Sequence, residues 1–245
     1  MAASLRTRLY VESPLEAGQA VPLREAQVHY LRNVLRLSPG VEVALFNGKD
    51  GEWLGRISEL HKEQGAVEPQ KKLREQRPCP DVWLLFAPIK RQGIDLIAEK
   101  ASELGASVIW PIITRHTDVT RVNLERLTAN AIEAAEQSER LDAPEVRAPV
   151  DLPTVLANWQ KSRPLIVCAE TGPTRPIADV IQNLPKGPVG ILIGPEGGFA
   201  RSEVELLAST PFVAAAHLGP RILRAETAAF AALACWMSLK GDWAK

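Results

Sequence analysis

The chain has 245 residues, of which 46% are apolar and 24% charged; these proportions exclude a disordered or collagen-like chain. Its 29 Lys and Arg balance 29 Asp and Glu, which excludes a protein that coats nucleic acid by net charge, though not a local basic face. No apolar run approaches the roughly 18 residues of a membrane helix, and the opening MAASLRTRLYVESPLE shows no apolar h-region, so neither a membrane span nor a signal peptide is expected.

The segment LRTRLYVE (Leu5 to Glu12) reads as a strand. In EAQVHYLRNVLRL (Glu25 to Leu37) the positions Val28, Leu31, Val34 and Leu35 fall at helical spacing, and Ser38-Pro39-Gly40 ends the run. Val41, Val43 and Leu45 then alternate, a Gly48-Lys49-Asp50-Gly51 turn follows, and EWLGRISEL returns as a second strand of a hairpin. GAVEPQKKLRE supplies a further strand. The sum is a small, mainly β module, a partly closed barrel. The charged, Pro-bearing KKLREQRPCP (Lys71 to Pro80) reads as the linker, which gives domains of 1–72 and 73–245.

Beyond the linker, apolar runs alternate with helical patterns. VWLLFAP (Val82 to Pro88), SVIWPI (Ser107 to Ile112), PLIVCA (Pro164 to Ala169), PVGILI (Pro188 to Ile193) and FVAAAHL (Phe212 to Leu218) lack period-2 alternation. That is the mark of parallel strands buried on both faces. Ile94, Ile97, Ala98, Ala101 and Leu104 form a helical stripe closed by Gly105, and Leu124, Leu127, Ala131 and Ala135 form another. A mostly parallel α/β sheet follows. The last helix, AETAAFAALACWMSLK (Ala225 to Lys240), is apolar nearly all round; it is either wedged inside the chain or covered by a second subunit.

Two strand-to-helix turns stand out. In LIGPEGGFARSE (Leu192 to Glu203) an apolar strand runs into Gly194-Pro195-Glu196-Gly197-Gly198. Glycines at a strand's carboxyl end allow a ligand to approach the backbone, at the edge where open α/β sheets bind. The segment matches neither a P-loop nor a dinucleotide fingerprint. In HLGPRILRAETAAF (His217 to Phe230) a Leu218-Gly219-Pro220 turn precedes Arg221, Arg224 and Glu226. Taken alone, each reads as a capping turn or as part of a ligand site; two such turns in one sheet are less easily both trivial. Cys79, Cys168 and Cys235 are few and far apart, as expected of reduced thiols in the cytoplasm. The four histidines, His29, His61, His116 and His217, have no metal-site spacing, so no metal is expected.

The pairing of GPEGGF with LGPRILRAETA resembles the 16S ribosomal RNA uridine-N3-methyltransferase family (RsmE), of the SPOUT or α/β-knot class. His29 with Val34-Leu35-Arg36-Leu37 and Gly40, Lys100 with Glu103-Leu104-Gly105, Pro111, and Glu133-Ala134-Ala135-Glu136-Gln137-Ser138 with Arg140 and Pro144 extend the likeness over nearly the whole chain. Two departures are visible: Ala225 replaces a frequent Thr, and Thr114-Arg115-His116-Thr117 replaces a Glu-Arg-Ser-like run.

The resemblance implies a PUA-like RNA-binding β-barrel domain followed by a trefoil-knotted α/β methyltransferase domain that works as a homodimer. It further implies S-adenosylmethionine as methyl donor, with Glu170, Gly194, Glu196, Gly197, Gly198, Leu218, Gly219, Ile222, Leu223 and Arg224 around it. Arg224 is the expected catalytic cation; Glu226 or Glu196 either takes the proton or anchors Arg224 or a neighbouring turn. Arg6, Arg8, Arg32 and Arg36 are expected on RNA phosphates; His29 is either an RNA contact or a packed helix residue. The implied partner is 16S ribosomal RNA of the small subunit. A SPOUT enzyme acting on a ribose 2′-hydroxyl or a guanine nitrogen, and a catalytically silent RNA-binding relative, are the alternatives.

Overall fold

The computed structural model describes residues 7–119, 121–169 and 172–244. The chain divides into two compact units, one comprising the residues up to Pro78 with Ala135–Ala143, the other Cys79–Ala134 and the residues from Pro144 onward.

The first unit is built on β1 (Arg8–Tyr10), β2 (Val21–Pro22), α1 (Glu25–His29), β3 (Glu42–Phe46), β4 (Glu52–Leu60) and β5 (Gly65–Arg74). The strands form one sheet in the order β1-β3-β4-β5-β2, antiparallel except for the β1–β3 pair. The hairpin expected around Gly48 to Gly51 is β3–β4. Its last glycine is obligatory, because Gly51 has φ +81° and a Cβ there would meet the Arg74 carbonyl oxygen. Leu9, Val28, Leu31, Val43, Ile57 and Val67 are buried between the sheet and α1. β5 runs through Arg74, so the domain change expected at 72/73 falls within a strand, and the compact unit extends to Pro78.

The expected helix over Glu25 to Leu37 is only partly formed. After α1 the chain widens into a π-turn at Tyr30–Val34, with the Leu35 N–H donating to the Tyr30 carbonyl at 2.9 Å. The extra residue per turn rotates the stripe out of register. Val28 and Leu31 stay buried, whereas Val34 is 58% exposed.

Arg8 also departs from expectation. Its guanidinium donates to Glu52 Oε1 at 2.6 Å and to the carbonyls of Ala135, Glu136 and Arg140 at 3.3, 2.8 and 2.6 Å. With four of its five N–H donors engaged within the unit and its side chain 10% exposed, Arg8 holds the first unit together and is withdrawn from the RNA-contact set. Arg74 completes the cluster with two hydrogen bonds to Glu52. Burial pushes the Glu52 carboxyl up, but the hydrogen bonds and charges of Arg74 and Arg8 outweigh it and hold it below the usual carboxylate range.

The second unit alternates β6 (Val82–Phe86), α2 (Arg91–Glu103), β7 (Val108–Ile113), α3 (Leu124–Gln137), β8 (Glu145–Val146), β9 (Val150–Asp151), α4 (Leu152–Ala157), β10 (Leu165–Cys168), β11 (Arg175–Pro176), α5 (Ile177–Asn183), β12 (Val189–Ile193), α6 (Arg201–Ala208), β13 (Val213–His217) and α7 (Ala225–Leu239). The strand order is β11-β13-β10-β12-β6-β7-β8, with β9 beside β7, and every pair is parallel. The five expected strands are β6, β7, β10, β12 and β13. As expected, Gly105 ends α2: it has φ +84°, its N–H donates to the Ser102 carbonyl, and Ala106 donates to that of Ala101.

One face of the sheet is covered by residues of α2, α3, α5 and α7, such as Ile97, Leu127, Ile181 and Leu233; the other carries Leu156 of α4, Trp159 just after that helix and Leu207 of α6. The path from β10 through β11 and α5 to β12 straddles β13, since β11 lies beyond β13 and β12 lies beyond β10. The chain leaving β13 continues into α7, which packs against α2, α5, β6 and β12. This is the arrangement of the expected α/β knot, which the usual avoidance of threaded loops argues against. Ala228, Ala229, Ala232 and Trp236 of α7 are buried within the unit, while Phe230, Ala231 and Ala234 remain half-buried.

Candidate functional site: two glycine loops at the carboxyl edge

Four strands end together. Cys168 of β10 is in register with Ile193 of β12 and Ala216 of β13, and Ile193 with Phe86 of β6. Because β10 lies between β12 and β13, the loop after β12 (194–200) and the loop after β13 (218–224) emerge on either side of its end. The two glycine segments are thus neighbours in space, at the edge where parallel sheets bind ligands.

The loop after β12 is tightly fastened. Gly194 lies against the Phe199 ring, and a Cβ there would stand 2.8 Å from it. The Gly198 N–H donates to the Pro195 carbonyl at 2.9 Å, closing a turn that leaves Gly198 at φ +68°. Glu203, only 5% exposed in the first turn of α6, ties the loop from behind. Its Oε2 accepts the Ala200 N–H and its Oε1 the Arg115 N–H, both at 2.9 Å. One buried carboxylate therefore joins this loop to the segment after β7. His116 from that segment places Nδ1 3.2 Å from the Gly197 oxygen and 3.0 Å from the Gly198 oxygen.

The loop after β13 is more open. Gly219 has φ +103° and donates its N–H to His217 Nδ1 at 3.2 Å. Leu218 and Leu223 pack against the larger core, whereas Ile222 is 82% exposed. Arg224 is exposed and extended at the start of α7, and its carbonyl accepts the Ala228 N–H at 2.8 Å. Glu226 is half-buried in the first turn, where a carboxylate suits the helix dipole.

These features fit an adenosyl group. No atom lies within 4 Å of where a Cβ would sit on Gly198 or Gly219, so the backbone is open to approach. Leu218 and Leu223 supply apolar wall beside it, the pairing that a purine nucleoside requires. Thiol chemistry is disfavoured: burial, with the Cys235 thiol adding to it, pushes Cys168 at the end of β10 up to about 12. Among the described residues no group of three or more His, Cys, Asp or Glu is placed to hold a metal ion.

The remaining expectations fall as follows. Gly194, Glu196, Gly197 and Gly198 share the first loop; Leu218, Gly219, Ile222, Leu223 and Arg224 share the second, with Glu226 one turn on. Glu170 and Arg6 lie outside the described residues. His29, Arg32 and Arg36 are exposed along α1 and the π-turn, so His29 is not a packed helix residue. Arg36 adopts φ +54°, a conformation that non-glycine residues rarely occupy.

A family model described as an RNA methyltransferase domain matches residues 75–237, and one described as an RNA methyltransferase PUA domain matches residues 23–70. The chain belongs to the RNA methyltransferase family. Within that family it is 36% identical to ribosomal RNA small subunit methyltransferase E of Rickettsia conorii, over 93% of both chains. It is 29% identical to the protein of that name from Bacillus subtilis, over 89% of this chain and 90% of the relative. A Neisseria gonorrhoeae ribosomal RNA small subunit methyltransferase E, solved bound to S-adenosyl methionine, superposes with a TM-score of 0.86 at 29% identity, covering 97% of this chain and 99% of that one.

Sequence reasoning missed Glu203, Phe199 and His116. Glu203 stands three residues after Ala200, the spacing of the returning half of a capping box, but Ala200 lacks the hydroxyl that makes the pattern visible. Phe199 lies within the GPEGGF segment and His116 within the Thr114–Thr117 departure, but neither pattern tells which glycine the side chain meets.

Proposed function

We propose that this chain transfers the methyl group of S-adenosylmethionine to N3 of a uridine in 16S ribosomal RNA. The observation that carries the reading is the emergence of the two glycine loops on either side of β10 in a chain of this family. Bound there, S-adenosylmethionine supplies an electrophilic methyl on a sulfonium. Leu218 and Leu223 wall the adenosyl group, the open backbone at Gly198 and Gly219 approaches it, and Ile222 closes over it from solvent. Gly194, Glu196 and Gly197 shape the facing loop, and Glu170 belongs to the same set.

Uracil N3 carries a proton and attacks poorly until that proton is lost. As the N3–C bond forms and the S–C bond breaks, the N3 proton must leave and charge spreads onto the uracil carbonyls. Arg224, exposed at the start of α7, steadies that charge. Glu226, one turn into the helix, accepts the proton or orients Arg224. Arg32, Arg36 and His29 contact RNA, the two arginines through phosphates.

A second copy of the chain covers the half-buried face of α7 around Phe230, Ala231 and Ala234, and the assembled small ribosomal subunit presents the substrate. Mass mapping of methylated nucleotides in small-subunit RNA tests the activity. Cells without the gene should lack one N3-methyluridine that the wild-type gene restores and an Arg224→Ala gene does not. An unchanged map, or a lost methyl on a ribose or a guanine, overturns the reading.

A further inference from the structure

We infer that His116 is a positioning residue for the cofactor loop: it donates one hydrogen to two adjacent glycine carbonyls and so presets the turn that receives S-adenosylmethionine. The inference rests on the cofactor reading above and adds to it a residue from the segment after β7. Carbonyl oxygens only accept hydrogen bonds, so an Nδ1 at 3.2 and 3.0 Å from the Gly197 and Gly198 oxygens carries the hydrogen.

The ring is itself held from behind. Thr114 is buried and donates its N–H to Thr117 Oγ1 at 2.9 Å, the two hydroxyls meet at 2.8 Å, and the Arg115 N–H is fixed on Glu203. His116 is thus presented by a closed turn of its own. It also lies flush with its target, since a Cβ on Gly197 would stand 3.4 Å from the His116 Cβ.

The brace acts on the part of the loop with most freedom to lose. Two successive glycines carry a large conformational entropy cost on ordering, and fixing them before the ligand arrives removes that cost from binding. It also sets a direction. In a trans peptide the N–H points opposite to the carbonyl, so holding the Gly198 oxygen toward His116 turns the Phe199 N–H away from it. Among the described residues no acceptor meets that N–H, which leaves it as a donor for the cofactor.

Three substitutions in the full chain separate donation from packing. His116→Ala removes the ring, His116→Phe keeps its bulk without a donor, and His116→Asn keeps a donor nitrogen in the place of Nδ1. Calorimetric titration with S-adenosylmethionine should show about a tenfold weaker Kd for the Ala and Phe variants, roughly 1.4 kcal/mol. The Asn variant should stay within about threefold of wild type, and all three should melt within about 2 °C of it, as expected at an exposed site. Equal affinity for the Ala variant and wild type, or equal loss in the Asn and Phe variants, overturns the inference.

Nitrogen-15 spectra of the imidazole at pH 8, without any cofactor, provide an independent readout. The hydrogen should reside on Nδ1; finding it on Nε2 overturns the inference. A wild-type chain that fails to bind S-adenosylmethionine defeats the cofactor reading instead, and does so before any variant is measured.

Discussion

The two loops that flank β10 have similar glycine-bearing sequences and opposite construction. The loop after β12 is fastened at four points: Gly194 under the Phe199 ring, the Gly198 N–H on the Pro195 carbonyl, Ala200 on Glu203, and the Gly197–Gly198 carbonyls on His116. The loop after β13 has one internal fastening, the Gly219 N–H on His217, and it exposes Arg221, Ile222 and Arg224. One side of the site is built before a ligand arrives and the other is left to close on it. Regions with few buried contacts open at low free-energy cost, so substitutions on the two sides should differ in kind: affinity and stability on the first, turnover and closure on the second.

The strongest test of that division is Arg224→Ala. Methyl transfer to small-subunit RNA should fall by at least about 100-fold, the scale of losing a single charge-stabilising group, while the Kd for S-adenosylmethionine stays within about threefold. A tenfold loss of cofactor affinity would place Arg224 in the preformed half and erase the contrast.

Gly194→Ala probes the other side. Its new Cβ must displace the Phe199 ring from 2.8 Å, so cofactor affinity should drop about tenfold, at a cost of about 1–3 kcal/mol in stability for the overpacked contact. The double variant Gly194→Ala with Phe199→Leu should recover part of that loss in the same titration. No recovery would mean the ring is not what Gly194 makes room for.

Glu203→Gln should be milder. Both carboxylate oxygens accept backbone N–H groups, and an amide can satisfy only one of them. Denaturant unfolding should show a loss of about 1–3 kcal/mol, the cost of one buried unsatisfied donor, together with a weaker Kd for the cofactor. Unchanged stability would show that the loop after β12 and the segment after β7 are not joined through this carboxylate.

The smallest effect is expected at Ile222→Ser. With 82% exposure in the open loop, the side chain contributes little to folding, and the melting midpoint should hold. Binding of S-adenosylmethionine should still weaken about threefold to fivefold if Ile222 closes over the ligand. An effect on melting with none on binding would reverse its assignment.

Much of this architecture is legible in the sequence because burial writes itself as pattern. β6, β7, β10, β12 and β13 are uninterrupted apolar runs, since both faces of the sheet are covered, and the stripes of α2 and α3 follow the helical period. What stays hidden depends on contacts between distant segments. Arg8 looks like a free phosphate ligand until Glu52 and the carbonyls of Ala135, Glu136 and Arg140 are folded around it. The π-turn at Tyr30–Val34 breaks a helical period that the sequence displays without fault. At the site, glycines and charges are visible, whereas the contacts that fasten them from outside the loop, Glu203 on the Arg115 N–H and His116 on the Gly197 and Gly198 carbonyls, join segments 81 to 88 positions apart.

The position of β13 between two strands of one uninterrupted excursion constrains how the molecule is made. The residues from Leu218 onward cannot be laid in from the side; they must be drawn lengthwise, like cord through an eyelet, before the excursion tightens. α7 suits that passage, since alanine is its commonest residue and only Phe230 and Trp236 carry aromatic side chains. A folded passenger fused behind α7 would be far too broad to follow, so a bulky reporter placed there should slow maturation in a way that the same reporter at the opposite terminus does not.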